Sequence, residues 1–190
     1  MSLDPQTTAL VLIDLQRRIV AQPTLSRPGS QVVRNAALLA DRFRAVKAAV
    51  VLVRVAFSSD WKDSPSTDLM VDSPFQPAQA MFHGDDLVSD LGPRPGDLVI
   101  TKRQWGAFYG TELDLQLRRR RIGTIVLGGI ATNIGVESTA RDAFERCYRQ
   151  IFVEDAMAAT TPGAHEMTIR NIFPRIGQVR STEAVLRELD

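Results

Sequence analysis

Three places in the 190-residue chain put residues capable of chemistry at the end of an apolar run. Thr8-Ala9-Leu10-Val11-Leu12-Ile13 stops at Asp14. Asp97-Leu98-Val99-Ile100-Thr101 is closed by Lys102. Thr124-Ile125-Val126-Leu127 runs into Gly128-Gly129-Ile130-Ala131-Thr132-Asn133-Ile134-Gly135. After that turn, Val136, Thr139, Ala140, Ala143 and Phe144 recur at helical spacing, which predicts a strand, a tight turn and a helix. Such a turn points free backbone N–H groups beyond the sheet, where they can hold an anion or a developing oxyanion. A carboxylate and an ammonium beside it would form an acid/base pair. Either Lys102 holds Asp14 ionised, or burial raises the Asp14 pKa so that it can deliver a proton. An Asp or Lys after a strand more often serves as a helix cap or surface charge, so the fold has to bring the two together.

The surrounding pattern supplies that fold. Near-continuous apolar runs are expected of parallel strands covered on both faces. Strands are predicted at Thr8 to Ile13, Ala49 to Phe57, Asp97 to Thr101, Thr124 to Leu127, Gln150 to Val153 (ending at Glu154-Asp155) and Ile176 to Arg180. Between them lie helices: one capped by Gly29 or Ser30 and running through Lys47, one capped by Thr111, one over Asn133 to Tyr148, one near Ala164 to Ile172, and a terminal one capped by Ser181. This alternation predicts an α/β protein, a doubly wound three-layer α/β/α sandwich around a mostly parallel six-stranded sheet. Residues 1–190 are expected to form a single domain, with an irregular, proline-bearing insertion near 58–95 for which covering a site, building an interface and disorder are the alternatives. Ligands of such sheets sit beyond the carboxyl ends of the strands, so Asp14, Lys102 and the turn from Ile130 to Gly135 should emerge on one rim.

Composition narrows the partners. Basic and acidic residues nearly balance at a formal net charge of +1, which leaves no electrostatic footprint for nucleic acid or an anionic membrane. The one basic cluster, Arg118-Arg119-Arg120-Arg121, ends a predicted helix, where cations complement the helix dipole. One cysteine, Cys147, allows no intramolecular disulfide and fits a reducing, cytoplasmic setting. No apolar run approaches the roughly 18 residues of a membrane helix, and the N-terminus carries no targeting pattern. His83 and His165 lack ligand spacing, so no metal and no cofactor are expected. The glycine-rich phosphate loop of a nucleotide-binding fold is missing after Ile13.

Val11-Leu12-Ile13-Asp14-Leu15-Gln16, the segment Thr101-Lys102-Arg103-Gln104-Trp105-Gly106-Ala107-Phe108-Tyr109-Gly110-Thr111, and Gly129 to Ala143 (Gly-Ile-Ala-Thr-Asn-Ile-Gly-Val-Glu-Ser-Thr-Ala-Arg-Asp-Ala) resemble the three signature segments of the isochorismatase-like hydrolase superfamily, in order and spacing from near residue 7 to near residue 189. In the amidase members the resemblance implies an Asp-Lys-Cys triad. Asp14 matches the acid/base and Lys102 the lysine, while the nucleophilic cysteine falls at Gly135. Glycine cannot form the covalent thioester. Cys147 stands twelve residues further on, about 18 Å of helical rise away, and is expected to be a small buried or half-buried apolar side chain.

The same family offers chemistry without a thiol. In true isochorismatases, which hydrolyse an enol ether, glycine is common at this position and the acid protonates the substrate. The resemblance thus implies Asp14 as general acid, Lys102 as electrostatic partner and Gly135 as space for substrate. It also implies a cis peptide between Ile130 and Ala131 that aims the amides of Ala131 and Gly135 into the pocket. Trp105, Phe108 and Asn133 are candidate substrate-binding residues, although core packing or a subunit contact fits the aromatic ones, Tyr109 included, equally well. Ala131 and Asn133 stand where isochorismatases carry a tyrosine and a histidine, which does not support isochorismate itself. Family members usually form symmetric assemblies, so a homo-oligomer acting on a small molecule is expected. Two readings follow: a hydrolase acting without a covalent thiol, and a catalytically silent binding or structural protein that kept the fold but lost the nucleophile.

Overall fold

The computed structural model describes residues 2–24, 26–65, 70–72 and 87–189. Six strands form one sheet: β1 (Thr8–Ile13), β2 (Ala49–Val55), β3 (Leu98–Lys102), β4 (Thr124–Ile130), β5 (Arg149–Ala158) and β6 (Gln178–Arg180). Their order is β3-β2-β1-β4-β5-β6, and every pairing is parallel. The sheet is therefore wholly parallel. Strand order reverses between β1 and β4, the point at which such sheets open a crevice at their carboxyl ends.

Side-chain alternation divides the core into two layers. Leu10 and Leu12 of β1 join Val50, Leu52, Val126 and Val153 on one face, under helix α2 (Gly29–Ala45) and helix α7 (Thr182–Glu188). α2 contributes Val32, Ala36, Leu39, Ala40 and Phe43, spaced three and four apart so that one stripe is buried. Ala9, Val11 and Ile13 face the other way, with Val51, Val53, Ile125 and Leu127. That layer is closed by α3 (Leu113–Arg119), α4 (Glu137–Glu145) and Phe173 of α6 (Phe173–Ile176). Two one-turn helices, α1 (Arg17–Val20) and α5 (Ala164–Met167), precede α2 and α6. No helix among the described residues is long and apolar enough to cross a membrane.

The largest departure from the sequence pattern is in β5, which was expected to end at Glu154-Asp155 and runs on to Ala158. Both carboxylates are held from outside the sheet. Glu154 pairs with Arg27 at 3.1 Å, and Asp155 accepts from the backbone and hydroxyl of Thr182, each at 2.7 Å. The ladder absorbs them with a register shift between Leu127 and Gly129 of β4, then resumes at Gly129 opposite Met157. β6 is shorter than expected because Phe173 to Ile176 is helical. α2 begins at Gly29 with Pro28 preceding it, without a side-chain cap. Thr111 and Ser181 do accept the expected bonds, from the backbone N–H groups of Leu113 and Ala184.

Register brings the strand ends level. Ile13 lies opposite Val53 and Gly129, and Val55 opposite Lys102. The approach of β4 to β1 at this level requires glycine: Gly129 has φ 131°, and a Cβ there would lie 2.1 Å from the Ile13 carbonyl oxygen. Of the 58–95 segment, residues 66–69 and 73–86 lie outside the described residues, including Pro74, Pro77 and His83. Its described end is tied to the rim by an antiparallel bridge between Leu87 and Gln16, and to α2 by Arg44, which donates to the Leu91 carbonyl at 2.5 Å.

Candidate active site

The chain leaves the extended conformation of β1 at Asp14, whose φ of 53° lies in the left-handed region that Asp enters more readily than most residues. Its N–H donates to the Val53 carbonyl. Two residues on, the fully buried Gln16 replaces a strand rung with its side chain: its amide donates to the Val55 carbonyl at 3.0 Å, and its oxygen accepts from the Val55 N–H at 2.8 Å. Asp14 is thereby fixed from both sides at the end of β1. Gln16 belongs to the first signature segment, but its pairing with Val55 carried no signal in the sequence, because that partner is 39 residues away.

Lys102, the last residue of β3, reaches across the end of β2. Its ammonium lies 2.7 Å from Asp14 Oδ2 and donates to the Trp105 carbonyl at 2.7 Å. Both residues are buried, at 6 % exposure for Asp14 and 2 % for Lys102. Burial pushes the Asp14 carboxyl above its ordinary value of 3.8, and the charge and hydrogen bond of Lys102 pull it back part of the way. Asp14 Oδ1 is buried and has no hydrogen-bond partner among the described residues. One carboxylate oxygen is thus committed to the lysine, and the other has no partner among the described residues.

The turn after β4 completes the group. The peptide between Ile130 and Ala131 is cis, and Thr132–Val136 winds as a wide π-type turn before α4. The Ala131 carbonyl accepts from the N–H groups of both Ile134 and Val136. Gly135 faces the pair directly: a Cβ there would lie 3.0 Å from Asp14 Oδ2 and from Ile13 Cγ2, and 3.3 Å from Lys102 Nζ. The space expected to stand open above Gly135 is therefore already shared by the Asp14 and Lys102 side chains. Thr139 fastens the turn to the segment after β3, donating to the Gly135 carbonyl at 2.7 Å and accepting from the Ala107 N–H at 3.1 Å.

The candidate substrate-binding residues separate. Asn133 lies in the turn, half-buried, and its Oδ1 is enclosed without a partner among the described residues. Trp105 is 61 % exposed, although its carbonyl holds Lys102, and Tyr109 is also exposed. Phe108 takes the core-packing alternative. It is buried in the core against Tyr148 at 5.8 Å, with the Arg146 guanidinium 5.3 Å from its ring centroid, because residues 103–111 fold back beneath α4. Cys147 is exposed rather than buried: α4 stops at Glu145, and Cys147 takes a left-handed φ of 63° just beyond it. Cys147→Ser is expected to leave the unfolding free energy within about 0.5 kcal/mol of the parent, as for surface sites in general, measured by denaturant unfolding. His165, which the sequence marked as lacking metal-ligand spacing, is buried with Nδ1 2.8 Å from the Thr132 hydroxyl.

A parallel sheet ordered 3-2-1-4-5-6, with a buried Asp–Lys pair at the switch point beside a cis-peptide turn, defines a doubly wound α/β protein. The chain belongs to the isochorismatase family: the isochorismatase domain model matches residues 8–184. It is 50 % identical over 193 residues to an uncharacterized isochorismatase family protein of Bacillus subtilis, covering 100 % of this chain and 97 % of that protein. It is 34 % identical to a ureidoacrylate amidohydrolase of Methylobacterium radiotolerans, over 97 % of this chain and 80 % of the relative. Among solved structures, an isochorismatase family protein from Burkholderia thailandensis superposes with a TM-score of 0.85 at 44 % identity, over 99 % of this chain and 97 % of that one. An N-carbamoylsarcosine amidase from Thermoplasma acidophilum superposes at 0.72 with 29 % identity, over 93 % and 97 %.

Proposed function

We propose that this chain is a small-molecule hydrolase that works without a covalent thiol, with Asp14 as general acid/base and Lys102 as its electrostatic partner. The observation that carries the reading is the buried Asp14–Lys102 pair standing against the α-carbon of Gly135. No thiol is within reach there, and the group that can move a proton is a carboxyl with one oxygen unengaged among the described residues. Burial favours the protonated acid, which can protonate an enol-ether carbon or a leaving oxygen. Once the proton has left, the carboxylate is stabilised by the ammonium 2.7 Å away and can accept a proton from an attacking water. The amides of Ala131 and Gly135 are the candidate donors for charge developing on a substrate oxygen, and Asn133 and Trp105 the candidate substrate contacts. Enol-ether or related hydrolysis matches this set better than amide hydrolysis through a thioester.

The test is a substrate screen that includes isochorismate, ureido acids, carbamoyl amines and simple amides, run before and after alkylation of Cys147 with iodoacetamide. Turnover unchanged by alkylation, with no covalent intermediate by mass spectrometry, is the expected result. Activity that disappears with alkylation overturns the mechanism. No turnover of any compound favours a silent binding protein. Within an active enzyme, Gly135→Ala is expected to lower turnover about tenfold or more. Its methyl would crowd Asp14 Oδ2 and Lys102 Nζ, at a stability cost of about 1–3 kcal/mol for the overpacking, read by thermal unfolding.

A further inference from the structure

The turn that carries Gly135 is held from outside the sheet by the segment after β5. Thr132, two residues past β4, is fully buried, and its hydroxyl lies 2.8 Å from Nδ1 of His165 in α5. One helical turn further along the same segment, the Thr168 hydroxyl donates to Glu137 Oε2 at 2.8 Å, at the start of α4. The turn and the first residue of α4 are thus fastened at both ends to residues 165–168. Neither link belongs to the Asp14–Lys102 chemistry, yet the first grips the turn three residues before Gly135.

We propose that His165 is a positioning residue for the Ala131–Gly135 turn, acting as a neutral imidazole whose Nδ1 accepts the Thr132 hydroxyl proton. This rests on the rim being the reacting centre. The chemistry of the pair is asymmetric. A neutral imidazole protonated on Nε2 gives the buried Thr132 proton an acceptor. An imidazolium has N–H groups at both nitrogens, so the bond must invert and the Thr132 proton loses its acceptor in a place closed to water. The charged and titratable groups facing His165 are Arg27 from the loop before α2, Glu154 from β5 and Glu166 from its own helix. Burial, followed by the Arg27 charge, lowers the His165 pKa below its ordinary 6.5, while the two glutamates oppose this. The unfolded chain then binds the proton more readily than the native one, so stability falls as pH drops below about 6.5 and is fully present above it.

The chain has two histidines, so imidazole resonances can be followed by NMR with His83→Gln to assign them. The expected result is Nε2-protonated His165 at pH 7, a higher imidazole pKa in Thr132→Val, and amide shifts at Ala131 and Gly135 that track the His165 titration. In turnover, His165→Leu is expected to lower kcat about tenfold at nearly unchanged KM. His165→Asn, which places a side-chain acceptor near the Nδ1 position, should restore most of it and flatten the acid limb of stability. An imidazole titration identical in Thr132→Val, or turn amides that ignore it, overturns the proposal, as does full kcat in His165→Leu. If the rim proves not to be the reacting centre, so that turnover is absent or survives Asp14→Asn, the NMR arm alone decides whether His165 sets the turn.

Discussion

Asp14→Asn is expected to lower turnover by about 10²- to 10⁴-fold, the range associated with loss of a positioned proton carrier. The substitution is nearly isosteric. It leaves an oxygen for the Lys102 ammonium to donate to, and it leaves the backbone bond to Val53 in place. What it removes is the exchangeable proton and the charge. A loss in kcat with a native-like near-UV spectrum therefore reports chemistry and not collapse of the rim. The pH profile sharpens the result. Since burial raises the Asp14 pKa from 3.8, an acid-catalysed step should persist to higher pH than a solvent-exposed aspartate would allow, and decline as pH rises through the raised value. The Asn variant should have lost that limb. An Asn variant within tenfold of the parent would mean that Asp14 does not carry the proton, and the pair would then be a structural ion pair.

The parts of this site legible in the sequence are those that depend on chain order alone. Asp14 and Lys102 each end an apolar run, and in a parallel sheet all such ends share one rim, so their meeting needed only the fold class. Contacts between distant residues left no mark. Gln16 closes on Val55, Thr139 on Ala107 and His165 on Thr132, and none of these partners is visible when only neighbours in sequence are considered. Local polarity also misled in the opposite sense. Glu154 and Asp155 looked like the end of a strand, yet Arg27 and Thr182 neutralise and satisfy them within β5. For Phe108 the sequence left substrate contact and core packing open, and Cys147 was expected buried, each for a third reason. The first follows a catalytic candidate in sequence but is turned into the core, and the second follows helical spacing past the point where the helix has ended.

Lys102→Met is expected to destabilise the protein by about 3–5 kcal/mol, the cost of leaving one member of a buried ion pair without its partner. Desolvation is the dominant influence on Asp14, and Lys102 supplies both influences that offset it. Removing the ammonium leaves burial unopposed, and the carboxyl pKa rises further. The sign of the pH dependence follows. A carboxyl with a folded-state pKa above 3.8 binds protons more readily in the native chain than in the unfolded one. Its share of stability is therefore lost as pH rises through that window and regained as pH falls. Denaturant unfolding of Lys102→Met should accordingly show a larger deficit at pH 7 than at pH 5. The double variant Asp14→Asn with Lys102→Met removes both charges and keeps at position 14 a residue that tolerates the left-handed φ of 53°, so it should recover most of the loss, which comes from the unpaired buried carboxylate. Recovery of stability together with complete loss of turnover would mean that the pair is kept at the switch point for its chemistry, at no benefit to folding. A single variant as stable as the parent would show that water reaches Asp14 in solution, and a double variant no better than the single one would show that the Trp105 carbonyl bond to Lys102 matters more to the rim than its ion pair.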